Sequence, residues 1–158
     1  AALDVSDERL ALMRECGADW TLNVRDQPVK ETRRKVRALA EEAGAGGAEW
    51  RIFETSGTPA GQELAWSLLT YGAYLGVVGY APADVTLRLS NLMAFAARAE
   101  GTWGCLPEHF PAVLDLVMSG RVAVDPFIEF HPMSTINSVL ERLHRGELRR
   151  RPVLVPDF

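Results

Sequence analysis

The sequence predicts an α/β fold built on a parallel sheet with helices on both faces. Three observations carry that expectation. Short apolar runs alternate with amphipathic stretches along the chain, the order expected of strand–helix–strand units. Capping residues stand where early strands hand over to helices, Ser6 after Val5 and Thr58 after Thr55-Ser56-Gly57. The loops after Leu3, Glu54 and Val78 carry small or polar side chains. They occupy the carboxyl ends of strands, where open parallel sheets bind ligands.

Leu3-Asp4-Val5 reads as the end of a buried strand, followed by a helix that Ser6 caps. Asp7 and Glu8 suit the first-turn dipole of that helix, Leu10, Leu12 and Met13 form its apolar side, and Gly17 closes it. Trp20–Val24 is a second short strand. A helix follows Pro28, with Val29, Val36 and Leu39 on one side, and ends at Gly44-Ala45-Gly46-Gly47. Trp50–Glu54 is the next strand, and Thr55-Ser56-Gly57 a tight turn. Pro59 occupies the first helical position after Thr58, where its missing N–H costs nothing. Leu64, Trp66, Leu68 and Leu69 supply the apolar content of that helix. Tyr74–Val78 is a continuous apolar strand broken by Gly79. Beyond it the spacing predicts a short strand over Val85–Leu89, a helix over Asn91–Ala96 and a strand ending near Thr102-Trp103. His109–Met118 has helical apolar spacing and stops at Gly120. Phe127–Phe130 is a strand, Met133 to Leu143 a last helix, and Val153–Val155 a last strand.

At 158 residues, with 47% hydrophobic and 24% charged residues, the chain fits one globular domain. A chain of this size buries about two-thirds of its unfolded surface, so it needs no metal or disulfide staple. Seventeen basic residues against 21 acidic ones leave a net charge of −4, without the basic footprint of a nucleic-acid binder. The cluster Arg142, Arg145, Arg149, Arg150 and Arg151 reads as a solvated face. Cys16 and Cys105 lie far apart and read as reduced and separate. His109, His131 and His144 are equally scattered, so no zinc-ligand spacing is present. The longest apolar stretch, Leu64–Tyr80, is interrupted by Ser67, Thr70, Gly72 and Gly76, and no signal peptide is visible. A soluble, cytoplasmic protein with neither nucleic-acid nor membrane partner is expected. The apolar opening Ala1-Ala2-Leu3-Asp4-Val5 leaves two readings: a strand that starts at once, or a missing upstream segment.

Asp4 is the most informative single residue. An acid that ends an apolar strand before a capped helix is placed as dinucleotide folds place the carboxylate that holds a ribose diol. Such a carboxylate repels a ribose phosphate, which favours NAD over NADP. It can equally be a strand-end Asp that turns the chain. The glycine fingerprint belonging to such a site would lie about 20 residues earlier, beyond the three residues that precede Asp4. Thr55-Ser56-Gly57 and Val78-Gly79-Tyr80 either let backbone approach a flat ligand or simply make turns. His109 and His131 read as solvent-facing or locally hydrogen-bonded rather than catalytic. Asp125 and Glu129 flank a strand without forming a carboxylate pair. No Ser–His–Asp or Cys–His arrangement follows from spacing.

By Phe53-Glu54-Thr55-Ser56-Gly57 and Gly72–Gly79 the chain resembles the C-terminal half of a medium-chain, zinc-type alcohol dehydrogenase. The resemblance covers essentially all residues in order, including Ala2-Leu3-Asp4-Val5, Gly101-Thr102-Trp103-Gly104 and Arg151 to Pro156. Ile52–Gly61, Arg88–Ala94 and Trp103–Pro107 look closer still to one branch. That branch is the 6-hydroxycyclohex-1-ene-1-carbonyl-CoA dehydrogenases of anaerobic benzoyl-CoA degradation.

The resemblance implies an incomplete Rossmann-type parallel sheet, without its first strand and glycine-rich turn. Residues 1–103 would be a partial NAD-binding domain, and 104–158 a segment returning to the catalytic domain. The implied activity of the whole protein is NAD-dependent oxidation of a secondary alcohol on a cyclic acyl-CoA. The resemblance places Asp4 and Arg9 at the adenosine ribose, and Thr55, Ser56 and Gly57 beneath the adenosine half. It places Val78, Gly79 and Tyr80 at the nicotinamide, Thr102 and Gly104 at its carboxamide, and Arg151 at the pyrophosphate. It assigns this chain no catalytic residue and no metal ligand; any zinc would be held elsewhere in the intact protein. It also implies a homo-oligomer, with Leu87–Arg98 at the interface, and a chain that is a fragment and inactive alone. Two other readings stay open: a non-catalytic nucleotide- or CoA-binding module, and a zinc-free quinone or enoyl reductase of the same superfamily.

Overall fold

In the computed structural model, which describes residues 1–158, the apolar opening forms a strand of three residues, β1 (Ala2–Asp4). Ser6 takes an extended backbone and its hydroxyl accepts the Arg9 N–H, so α1 (Asp7–Glu15) starts at the capping signal. Gly17, at φ 96°, turns the chain out of that helix. β2 (Thr21–Asn23) then pairs in parallel with β1, Leu3 opposite Leu22 and Asp4 opposite Asn23. α2 (Val29–Glu42) follows, with Thr32 on its buried side.

The second sheet has three parallel strands in the order β3 (Arg51–Glu54), β4 (Tyr74–Val77) and β5 (Arg98–Gly101). α3 (Pro59–Ser67) crosses from β3 to β4, capped by Thr58 with Pro59 in its first turn. The short α4 (Ser90–Ala94) precedes β5. The core of this part lies between α3 and the sheet. Ala65, Trp66, Leu69, Ala73 and Leu75 are buried there, with Ile52, Val77, Leu92 and Phe95 packed around them. Burying Leu69 and Leu75 contributes about 1.5–3 kcal/mol each.

The chain divides into two compact units, Ala1–Cys105 and Leu106–Phe158. The second contains α5 (Phe110–Met118), β6 (Ile128–Pro132), α6 (Ile136–His144) and β7 (Arg151–Val155). β6 and β7 pair in parallel, and Val139 of α6 is its buried apolar residue. No helix is long and apolar enough to cross a membrane.

The parallel α/β expectation holds at every strand pairing. Four particulars differ. The strands form three separate sheets rather than one; β1 and β3 each keep an edge without a strand neighbour. Val85–Leu89 is not a strand, despite its alternating pattern. The segment has no neighbouring strand; instead the Arg88 carbonyl accepts the Trp66 indole N–H and the Asn91 N–H, which curls the chain into α4. β1 is half-buried rather than buried, and Val5 beyond it is exposed, because β2 and α1 are its contacts. Glu129 lies inside β6 rather than beside it, and pairs with His131 two residues along the same face.

Candidate functional site

At the carboxyl end of β1, the Ser6 N–H donates to Asp4 Oδ1 at 2.9 Å. Arg9 Nη1 donates to Oδ2 at 3.2 Å. The period of α1 carries Arg9 back over the strand end, so the cap and the ion pair share one turn. The Asp4 side chain stays 26% exposed. Each carboxylate oxygen has a second lone pair, so two bonds leave Asp4 free to accept further donors from the solvent side.

Glu54, at the end of β3, repeats this arrangement in a buried form. The Ser56 N–H donates to Glu54 Oε1 at 2.8 Å, two residues ahead as at Asp4 and Ser6. The Ser56 hydroxyl and the Gly57 N–H (3.2 Å) donate to the same oxygen. Glu54 is 4% exposed, and its Oε2 is buried without a partner. Its backbone carbonyl accepts the N–H groups of Val78 and Gly79, at 2.8 and 2.9 Å. One residue therefore binds the loop after β3 through its side chain and the loop after β4 through its main chain. Ser56 passes the connection on: its hydroxyl accepts the Thr58 N–H, and Thr58 Oγ1 accepts the Gly61 N–H at the start of α3.

The glycines of these loops serve each other. A Cβ on Gly79 would sit 2.2 Å from the Gly57 nitrogen, and one on Gly57 would sit 2.6 Å from the Tyr80 carbonyl oxygen. Gly57 also has φ 63°, which favours glycine. Their missing side chains make room for backbone packed on backbone. The space around Gly79 is a junction between the loops after β3 and β4.

Along this edge the structure gathers Thr55, Ser56 and Gly57 with Val78, Gly79 and Tyr80. Thr102 joins them, because its N–H donates to the Val77 carbonyl at 3.1 Å. Gly104 follows at φ 65°, its carbonyl 3.4 Å from the Thr102 hydroxyl. Asp4 and Arg9 meet on the other sheet of the same unit. Arg151 opens β7 in the second unit, exposed and opposite Ile128. A groove of about 560 Å³ beside α2 and α3, lined by Arg33, Arg37, Trp66 and Arg88 among others, shares no residue with this edge.

Sequence reasoning overlooked Glu54 as a site residue. The signal was present: an acid at a strand end, followed two residues later by serine, as at Asp4. What sequence does not reveal is that the second acid faces inward.

No group of three or more His, Cys, Asp or Glu side chains gathers into a possible metal site. Cys16 and Cys105 are exposed and unbridged, and His131 Nε2 lies 3.0 Å from Glu129. The residues of this chain do not fit a resident zinc.

A family model described as zinc-binding dehydrogenase matches residues 1–119. An alcohol dehydrogenase of Geobacillus stearothermophilus is 28% identical over 154 residues, covering 97% of this chain and 42% of that enzyme. An L-threonine 3-dehydrogenase of Thermococcus kodakarensis is 32% identical over 127 residues, 78% of this chain and 34% of that enzyme. The crystal structure of an alcohol dehydrogenase from Thermotoga maritima superimposes with a TM-score of 0.84 at 26% identity, over 98% of this chain and 42% of that one. The fold is thus the Rossmann-like part of such enzymes. The chain spans well under half the length of the relatives it matches.

Proposed function

Because this chain belongs to the zinc-binding dehydrogenase family, we propose that it forms part of the cofactor site of an NAD-dependent alcohol dehydrogenase. The observation that carries this reading is Asp4. It is a partly exposed carboxylate at the carboxyl end of a parallel strand, fixed by the Ser6 N–H and by Arg9, with acceptor capacity to spare. Two hydroxyls of a ribose can donate to such a group. A phosphate on the same ribose would meet its negative charge at close range, so NAD is favoured over NADP. Arg9 stands beside the same position as a donor.

NAD, when bound, supplies the hydride acceptor for the carbon of a secondary alcohol. The part of this chain is to bind and orient. Asp4 and Arg9 hold the adenosine ribose, Thr55–Gly57 support the adenosine half, and Val78–Tyr80 line the nicotinamide end. Thr102 and Gly104 hold the carboxamide, and Arg151 offers a positive charge to the pyrophosphate. In this reading residues 1–103 are the cofactor-binding portion and 104–158 a segment of the catalytic domain. Zinc, where the whole protein uses it, is held by residues outside this chain. The intact protein works in the cytoplasm as a homo-oligomer, with the free edge of β5 and residues Leu87–Arg98 at the contact.

The substrate we favour is a cyclic acyl-CoA bearing a secondary hydroxyl, of the 6-hydroxycyclohex-1-ene-1-carbonyl-CoA type. The support is the resemblance of Ile52–Gly61, Arg88–Ala94 and Trp103–Pro107 to that branch. The test is NADH formation by the full-length protein on that thioester, with simple secondary alcohols and threonine alongside. Turnover is expected on the acyl-CoA. Turnover confined to simple alcohols or threonine sinks the substrate assignment, and no NAD reduction by any of them sinks the dehydrogenase reading.

A further inference from the structure

Glu54 combines three features that a packing residue does not need. It is a carboxylate with 4% exposure, all its side-chain donors converge on one oxygen, and the other oxygen is buried without a donor. An orphaned buried acceptor is destabilising and uncommon enough to need a physical reason. An apolar side chain of the same size would fill this space without that penalty. It would not hold Ser56 and Gly57.

The position of Glu54 gives the reason. Oε1 receives the N–H groups of Ser56 and Gly57, while the backbone carbonyl receives those of Val78 and Gly79. Oε2 lies 2.8 Å from where a Cβ on Gly79 would be, so the carboxylate is wedged against the second loop as well. We propose that Glu54 is a positioning residue that locks the loops at 55–57 and 78–80 into one rigid edge, so that a dinucleotide meets it preorganised. This deepens the cofactor reading given above and rests on it. A preformed edge spares the ordering of two loops on binding, which is where preorganisation increases affinity. Glu54 itself makes no contact with the dinucleotide; it acts through the backbone of Ser56, Gly57, Val78 and Gly79.

The test uses the full-length protein with Glu54→Gln and Glu54→Ala, read by amide hydrogen exchange and by NADH fluorescence titration. Gln keeps only a neutral, weaker acceptor for Ser56 and Gly57, so a smaller acceleration of exchange is expected there; Ala removes the acceptor. In Glu54→Ala, exchange at Ser56 and Gly57 is expected to accelerate at least about tenfold, the loss of a charge-assisted buried bond. Exchange at Val78 and Gly79 should accelerate too, although their acceptor is a main-chain carbonyl that the substitution leaves in place. Leu75 and Gly76 in β4 should keep their protection. NADH affinity should fall about tenfold or more in Glu54→Ala and less in Glu54→Gln.

Faster exchange at 56–57 with unchanged exchange at 78–79 overturns the coupling of the loops. Unchanged NADH affinity despite mobile loops overturns the positioning role. Failure of the unsubstituted protein to bind NADH overturns the cofactor reading and Glu54's part in it, while the exchange data still decide whether the loops are coupled. Should Glu54→Ala not fold, Glu54→Gln carries both measurements: slowed or unchanged exchange at all four amides, or unchanged affinity, counts against the proposal.

Discussion

A Cβ on Gly79 would lie 2.2 Å from the backbone nitrogen of Gly57. That distance is far inside van der Waals contact, and the atom in the way is main chain, which cannot rotate aside. Gly79→Ala must therefore push apart the loops after β3 and β4. We expect a loss of about 1–3 kcal/mol, the usual scale of overpacking, measured by urea denaturation. Gly101→Ala is the control: no atom lies within 4 Å of its Cβ position and its φ is ordinary, so stability should stay within about 0.5 kcal/mol of the parent. Equal effects at the two glycines would mean that the Gly57–Gly79 junction is loose.

Asp4→Asn removes a negative charge while preserving shape and most of the Ser6 bond. The pair with Arg9 is exposed enough that its loss should cost no more than about 1 kcal/mol. Cofactor choice is where the change should appear. In the full-length protein NAD should bind more weakly, and discrimination against NADP should relax. An unchanged NAD-to-NADP ratio removes Asp4 from the ribose site.

Thr58 and Ser6 both cap helices, with different geometry. Thr58 Oγ1 accepts the Gly61 N–H at 3.1 Å, whereas the Ser6 hydroxyl lies 3.4 Å from the Arg9 nitrogen. Thr58→Ala should cost about 0.5–2 kcal/mol, and Ser6→Ala should fall at the low end of that range. Thermal denaturation of the two variants side by side gives the order directly, and the reverse order would show that cap distance does not govern these helices.

In the second unit, Ser134 donates both its N–H and its hydroxyl to Asp157. These bonds, the hydroxyl first, hold the Asp157 carboxyl below its usual range. A carboxyl whose pKa is lower in the folded state adds stability above its unfolded pKa and loses it as pH falls through the folded one. The contribution is therefore present at neutral pH and disappears below about pH 4. Asp157→Asn should flatten that part of the stability–pH curve. A curve unchanged by the substitution would show that Ser134 and Asp157 do not hold together in solution.

The parts of the fold legible in sequence were those governed by local chemistry. Ser6, Thr58 and Pro59 mark helix starts because a cap satisfies N–H groups within its own turn. The apolar run Tyr74–Val78 reads as an interior strand because burial on both faces leaves no alternation. Val85–Leu89 misled for the complementary reason. Alternation predicts a strand, but a strand also needs a partner, and here Trp66 and Asn91 take the Arg88 carbonyl instead.

Sequence by itself determined the parallel α/β class, the order of helices and strands apart from Val85–Leu89, and the residues at the strand ends. Each depends on side chains within a few positions of one another. Tertiary structure alone decided how the strand-end acids differ. Asp4 and Glu54 share one local pattern, a carboxylate accepting the N–H of a serine two residues on. Asp4 lies on a two-stranded sheet and keeps a face to solvent. Glu54 is closed over by the loop that follows β4, which leaves one oxygen triply bonded and the other alone. Burial depends on what packs against a residue from elsewhere in the chain, and no local pattern contains that information.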